Sequence, residues 1–250
     1  MAERGMAERG LAARLRRWWT KKRVRLALAA DGRPGAKFAL IHRLNYWGNA
    51  ESVSGNGSSL DSTSVFRAGF EALLRERRIA SVFDAPCGDF NWMRVVALPE
   101  GCVYLGGDIV AAVVAENTRR HGTASVAFRE FDLIADAFPA ADLWLCRDCL
   151  IHLSQADILR VLANFAASDI PFALITSHPH VTGNVDIRTG QYRDVNLRLP
   201  PFGLPPPEAM LEDRPVGEAA RIVGLWRREQ VVAAIAKPVP GHPGADAARR

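Results

Sequence analysis

From about residue 60 the chain alternates short apolar runs with stretches whose apolar residues recur at helical spacing. Ile79–Phe83, Val103–Leu105, Ser125–Phe128, Leu143–Leu145 and Phe172–Thr176 predict strands. Helical stretches are predicted between them, near 90–97, 109–120 and 154–167. Ser154 opens the last of these with Asp157 three residues on, an N-terminal capping pattern. An earlier helix is predicted by Val65, Phe66, Phe70, Leu73 and Leu74, with Asp61, Ser62 or Thr63 as its cap. Strands alternating with helices at this spacing predict an α/β domain, a parallel sheet with helices on both faces. Ligands of such sheets sit at the carboxyl ends of the strands.

The flanks read differently. Residues 31–62 are rich in Gly, Asn and Ser, and the run 52–58 is the most loop-like part. Ser177–Pro207, rich in His, Asn, Gly and Pro, is a long segment of the kind that is functional or disordered in a compact domain. Ala220–Trp226 and Gln230–Ile235 predict returning edge strands, a hairpin, and Pro238–Arg250 a disordered tail. The expected organisation is a basic segment over 1–30, one domain over 31–237 and a tail over 238–250. Within the domain, a ligand-binding core spans about 80–177 and a substrate loop or lid about 178–207.

Charge is unevenly spread. Residues 1–30 hold nine Lys or Arg against two Glu, so this segment carries +7 of a net +5 and leaves the remainder at −2. The body therefore has no basic bias, and nucleic acid is not an expected partner of the core. Leu11–Ala30 reads as a basic helix with Leu11, Leu15, Trp18, Trp19, Val24 and Leu26, a candidate for peripheral membrane or protein contact, set against a solvated tail. No apolar stretch of transmembrane length occurs, and no secretory pattern follows the basic start. The expected location is the cytoplasm, peripheral at a membrane if the basic segment binds one. Cysteines stand at 87, 102, 146 and 149, and Cys146–Cys149 has CxxC spacing. With no second CxxC or HxxxH to complete a zinc site, no metal is expected, and reduced, buried or site-lining thiols are.

The candidate chemistry lies at the strand ends. The first strand closes in Asp84–Ala–Pro–Cys–Gly88–Asp89–Phe–Asn91–Trp92, an acid followed by a turn expected to lead through Gly88 into a helix. A dinucleotide site would place several glycines there, and the carboxylates at 84 and 89 would repel a pyrophosphate. An amine or sulfonium suits these acids better. Asp108 ends the second strand about twenty residues past that turn, where a carboxylate can accept from both hydroxyls of a ribose. Asp132 closes the third, placed to accept from an adenine amino group. One such acid would be a solvated strand end; three at successive strand ends form a pattern.

The order Asp84…Gly88, Gly106–Gly107–Asp108, Asp132 and Asp142–Leu–Trp–Leu–Cys–Arg–Asp148 resembles the class I S-adenosylmethionine-dependent methyltransferases, over roughly residues 50–177. Within that group Trp47–Ser58, Asp84–Asn91 and Cys146–His152 resemble a bacterial subfamily of small-molecule or glycan type. The resemblance implies a Rossmann-like, doubly wound, mostly parallel seven-stranded sheet with an antiparallel last strand, and S-adenosylmethionine as cofactor. It implies a cofactor-binding set of Asp84, Pro86, Gly88, Asp89, Asn91 and Trp92 from the first loop, Asp108 and Ile109, Asp132 and Leu133, and Arg147. Asp84 and Gly88 would lie by the methionine moiety, Asp108 by the ribose and Asp132 by the adenine. Pro86, Asp89 and Phe90 depart from the usual glycine-rich first loop.

Methyl transfer to oxygen needs an aligned nucleophile, exclusion of water and a base. Asp148 and His152 are the catalytic candidates, with Asp148 placed nearer the transferable methyl and His152 behind it, or structural. His178, His180, Asn184, Tyr192 and Asn196 are the candidate substrate-binding residues of the long loop. The expected reaction is O-methylation of a small polar acceptor such as a sugar or glycan hydroxyl. The alternatives are an RNA or protein methyltransferase, disfavoured by Arg–Asp–Cys in place of an Asn/Asp-Pro-Pro-aromatic tetrad, and a cofactor-binding scaffold without turnover.

Overall fold

The computed structural model describes Val24 and residues 32–47, 50–213 and 221–236. Apart from Val24, the expected basic helix at the N-terminus lies outside the described residues, as does the tail 238–250. Seven strands, β1 (Ser81–Asp84), β2 (Val103–Asp108), β3 (Val126–Glu130), β4 (Leu143–Cys146), β5 (Phe172–Ser177), β6 (Ala209–Asp213) and β7 (Arg221–Arg227), form one sheet in the order β3-β2-β1-β4-β5-β7-β6. The pairs from β3 across to β5 are parallel, and β7 runs antiparallel to both neighbours. This is the mostly parallel, doubly wound sheet with an antiparallel last strand that the sequence led one to expect.

Accompanying it among the described residues are the helices α1 (Pro34–Arg43), α2 (Ser64–Glu76), α3 (Ala111–His121), α4 (Gln155–Ala166) and α5 (Arg228–Ile235). All four residues of β4 are buried, because both faces of a parallel sheet are covered and polar alternation is lost. On one face Phe83, Trp144, Ala173 and Trp226 pack with Ile158, Leu162 and Phe165 of α4 and Val231 of α5. On the other, Val82, Leu143, Leu145 and Leu174 pack with Phe66, Phe70 and Leu74 of α2 and with Trp92. Each fully buried large apolar side chain is worth about 1.5–3 kcal/mol, so these two layers hold the central strand ends rigid.

Several boundaries differ from the sequence reading. Ser154 caps α4 as expected, its hydroxyl accepting from Asp157 N–H at 3.1 Å. Thr63 precedes α2 but does not cap it; its hydroxyl donates back to Ser59 O at 2.8 Å. No helix forms over 90–97. Gly88 and Phe90 have φ of +54° and +57°, outside helical space, and only a single 3₁₀ turn follows at Met93–Val95. Gln230–Ile235 belongs to α5, not to a strand: the Gln230 side chain accepts from Arg227 N–H at 2.8 Å, and Val231 and Ala234 bury at helical spacing. The partner of β7 is therefore β6, and β7 is interior to the sheet. Residues 34–43, read as part of a loop, form α1 with Pro34 in the first turn, a position that tolerates the missing N–H.

Candidate active site

A cavity of about 320 Å³ opens at the carboxyl ends of β1, β2 and β4, roofed by α1 and by the 53–58 loop. The register sets its floor. Asp84 lies opposite Gly106 and Leu145, so Asp108 and Arg147–Asp148 project beyond it from the flanking strands. Gly106 and Gly107 let neighbours close in: a Cβ on Gly107 would sit 3.0 Å from Phe131 and 3.1 Å from Phe83.

The three strand-end acids share this cavity. Asp84 is buried and accepts from Tyr104 O–H at 2.7 Å; loss of hydration pushes its pKa up to about 7. Asp108, also buried, accepts from Gly88 N–H at 3.1 Å and Val110 N–H at 2.9 Å, and burial raises its pKa against those two bonds. The Gly88 amide, expected to face a ligand, is thus spent on Asp108. Asp132 accepts from Ile134 N–H at 2.9 Å, flanked in the cavity wall by Phe131, Leu133 and Ile134. Pro86, Gly88, Trp92, Ile109 and Leu133 also line the cavity.

Asp89 and Asn91 have a different task. Asp89 accepts from Ser52 Oγ (3.0 Å), Val53 N (2.9 Å) and Ser54 Oγ (3.2 Å). Asn91 donates to Glu51 Oε1 at 2.8 Å and Ser58 O at 3.0 Å. Together they pin the roof loop; Asp89 touches the cavity, while Asn91 stands behind its wall.

Beyond β4 the charges close into a ring. Arg147 donates to Asp213 Oδ2 at 2.9 Å and Oδ1 at 3.0 Å, and to Gly57 O at 2.8 Å. Its guanidinium lies over the rings of Phe66 and Trp92. Arg221 donates to the same Asp213 Oδ2 at 3.1 Å and to Asp148 Oδ2, which Arg147 Nη1 also approaches at 3.5 Å. Two arginines and two aspartates thus balance, the condition for burying such charge. Asp148 has φ +56° and is held there by its own N–H donating to Thr176 Oγ1 at 3.0 Å. Its Oδ2 is taken by guanidinium groups, and its Oδ1 faces Thr176 Oγ1 at 3.4 Å.

His152 faces the same cavity from the 3₁₀ turn Leu150–His152. Its Nδ1 lies 2.9 Å from Gln191 O, which can only accept, so Nδ1 carries the proton and Nε2 the lone pair. Burial lowers its pKa, against the pull of Asp148. The ring packs on Trp47 (5.4 Å), Tyr192 (5.8 Å) and Phe38 (6.5 Å).

Of the loop candidates, Tyr192 lines the cavity and His178, His180, Asn184 and Asn196 do not. His180 Nε2 and the Tyr192 hydroxyl meet opposite oxygens of Asp194, at 3.0 and 2.7 Å, with His178 Nε2 at 3.5 Å. Asn184 exchanges bonds with Asn196, both at 2.9 Å, and donates to Pro200 O; Asn196 donates to Val181 O. These amides fold the loop on itself. The sequence reading did not single out Pro34, Phe38 and His42 of α1, nor Arg221, all of which line the cavity. Trp47 and the 53–58 loop carried a signal only through the resemblance.

No protein-family model matches the chain, and no curated protein sequence matches it. Among solved structures the chain is similar to the mitomycin 7-O-methyltransferase MmcR, with a TM-score of 0.51 and 19% identity over 66% of this chain and 54% of that one. It is also similar to magnesium protoporphyrin IX methyltransferase from Synechocystis PCC 6803 with bound SAH, with a TM-score of 0.50 and 14% identity over 85% and 94% of the two chains. The fold is that of the class I methyltransferases. Within this methyltransferase fold the chain spans about half the length of the first neighbour and nearly all of the second. The three acidic strand ends and the His152 turn occupy one cavity at the sheet's carboxyl edge, where open α/β sheets bind their ligands.

Proposed function

We propose that the protein is an S-adenosylmethionine-dependent methyltransferase that methylates a hydroxyl of a small polar acceptor, such as a sugar or glycan. The observation that carries this reading is one cavity with Asp84, Asp108 and Asp132 on one side and His152 on the other, its Nε2 lone pair without a hydrogen-bond partner among the described residues. The residues fit the cofactor. Asp84, desolvated beyond what Arg147 offsets, favours an ammonium or sulfonium; Asp108 accepts from ribose hydroxyls; Asp132 accepts from an adenine amine set among Phe131, Leu133 and Ile134. When bound, that cofactor supplies an electrophilic methyl group.

The chain's own residues do the rest. His152, neutral near pH 7 and fixed in the Nδ1–H tautomer, takes the acceptor's hydroxyl proton at Nε2. Trp47 and Tyr192 offer ring faces to an acceptor, and Asp148 offers Oδ1 to a second hydroxyl. On its place nearer the transferable methyl, Asp148 is the first candidate for the base. With Oδ2 held by Arg221 and Arg147, orienting the acceptor suits it better, and His152 takes its place. The roof of α1 and the 53–58 loop excludes water.

Titration calorimetry with S-adenosylmethionine and its demethylated product tests the cofactor. Asp108→Ala should weaken binding by about 1.5–3 kcal/mol, the range for hydrogen bonds to a charged acceptor. Methyl release against a panel of hydroxylated acceptors tests the reaction, and His152→Gln should bind cofactor normally but turn over roughly 10²–10⁴-fold more slowly. A His152→Gln protein of full activity would remove the base assignment.

A further inference from the structure

The 185–193 segment is stitched to the turn that carries His152 by an unusual set of bonds. Gly190, with φ +100°, donates its N–H to His152 O at 2.8 Å, and Arg193 N–H donates to Ile151 O at 3.1 Å. The Arg193 guanidinium then donates Nη1 to Leu150 O at 2.7 Å and Nη2 to Leu153 O at 2.5 Å, with Nε at 3.3 Å from Val185 O. Ser154 N–H, the next residue, donates to Thr189 Oγ1 at 2.9 Å. The half-buried Arg193 forms no ion pair among the described residues, and burial lowers its pKa to about 10. A desolvated cation with no carboxylate in contact is costly, Asp186 acting on it only at a distance, and its planar fork is spent on main-chain carbonyls, two of which bracket His152.

We propose that Arg193 is the positioning residue of the reaction: by clamping Leu150 O and Leu153 O it fixes the turn so that Gln191 O receives Nδ1–H of His152 and Nε2 is presented to the acceptor. The inference rests on the reading of His152 as base, but its structural half stands apart from activity. Gln191 O and the Arg193 clamp lie two residues apart in the same 185–193 segment, so loosening the clamp moves the acceptor that selects the tautomer. A mere charge beside His152 would act otherwise. The charged groups that bear on the imidazole are Asp148 and Arg193, and a lysine at 193 keeps the charge but loses the two-pronged geometry.

The test is side-chain nitrogen NMR on the full chain, with the His152 signals assigned by their loss in His152→Gln. In the parent protein His152 should show the Nδ1–H tautomer, and the Arg193 Nη protons should be resolved and slow to rotate. Arg193→Met and Arg193→Lys should both shift His152 towards the Nε2–H tautomer. With cofactor affinity changed less than about twofold, both should also lower kcat roughly tenfold or more, as expected when a base loses its alignment. Retention of the Nδ1–H tautomer in either folded variant overturns the proposal, as does full recovery with Lys, which would leave charge alone as the cause. If neither variant folds, the parent decides: an Nε2–H tautomer or a freely rotating guanidinium overturns it, and their opposites support it. A normal tautomer response alongside a fully active His152→Gln would instead count against the base, leaving the clamp intact.

Discussion

At the residue scale the most telling group is Asp84. Its position was legible as the acid that ends the first apolar run; its environment was not, because Tyr104, twenty residues away, supplies the hydrogen bond. Desolvation, helped by the charge of Asp108, outweighs the Tyr104 hydrogen bond and the pull of Arg147 and raises its pKa from 3.8 to about 7. A carboxyl whose folded pKa is raised holds a proton that the unfolded chain has released between those two values. Its contribution to stability is therefore fully present below about pH 3.8 and lost as pH rises towards 7. The ligand-free protein should melt at progressively lower temperature as pH is raised from about 5 to 8, a slope that Asp84→Asn flattens. Binding of a cationic ligand should run the opposite way, weakening towards tenfold per unit as pH falls below about 7. An Asp84→Asn protein with the parent's pH slope would show that another group, Asp108 first among them, holds that proton.

At the element scale, the sequence revealed whatever was short, apolar and ended in an acid. β1, β2, β4 and β5 each appear within a few residues of their observed limits because parallel strands covered on both faces are continuous apolar runs. β6 escaped notice because Ala209–Asp213 is half-exposed and follows a proline run. The apolar stretch 230–235 fits helix and strand equally, and a single capping glutamine, read only in the structure, decides for α5. α1 was hidden among Gly32, Pro34 and Gly35, the residues that ordinarily mark loops. The 51–58 roof is the element whose role departs furthest from its loop-like composition. Asp89, assigned to the cofactor from its place in the first loop, takes three hydrogen bonds from that roof. Asp89→Ala should leave the sheet's melting little changed, speed amide exchange across 51–58, and weaken S-adenosylmethionine binding by about tenfold as the cavity loses its cover. Unchanged exchange in that segment would assign the roof's rigidity to Asn91 and Arg147 instead.

At the scale of the whole molecule, one described residue of the +7 segment, Val24, touches the −2 body at α1. Val24, from within the basic segment, is fully buried against Ile41, with Phe38, Tyr46 and Trp47 packed around the pair. Phe38 and Trp47 in turn line the cavity. The acidic strand ends all lie downstream of the basic segment, which by itself would make that segment separable from the core. Val24 argues otherwise, since removing it opens the back of the cavity's roof at a loss of about 1.5–3 kcal/mol of burial. No helix among the described residues is long and apolar enough to cross a membrane. Packing and charge can be separated with two variants. Val24→Asp keeps nearly all the positive charge but puts an unpaired carboxylate against Ile41. Neutralising Arg14, Arg16 and Arg17 to Gln keeps Val24 and removes charge. Val24→Asp should loosen S-adenosylmethionine binding by about fivefold or more while sedimenting with anionic vesicles like the parent. The glutamine variant should bind cofactor normally and lose whatever vesicle binding the parent has. If Val24→Asp binds cofactor as tightly as the parent, the basic segment is independent of the active site, and its charge alone must account for any role it has.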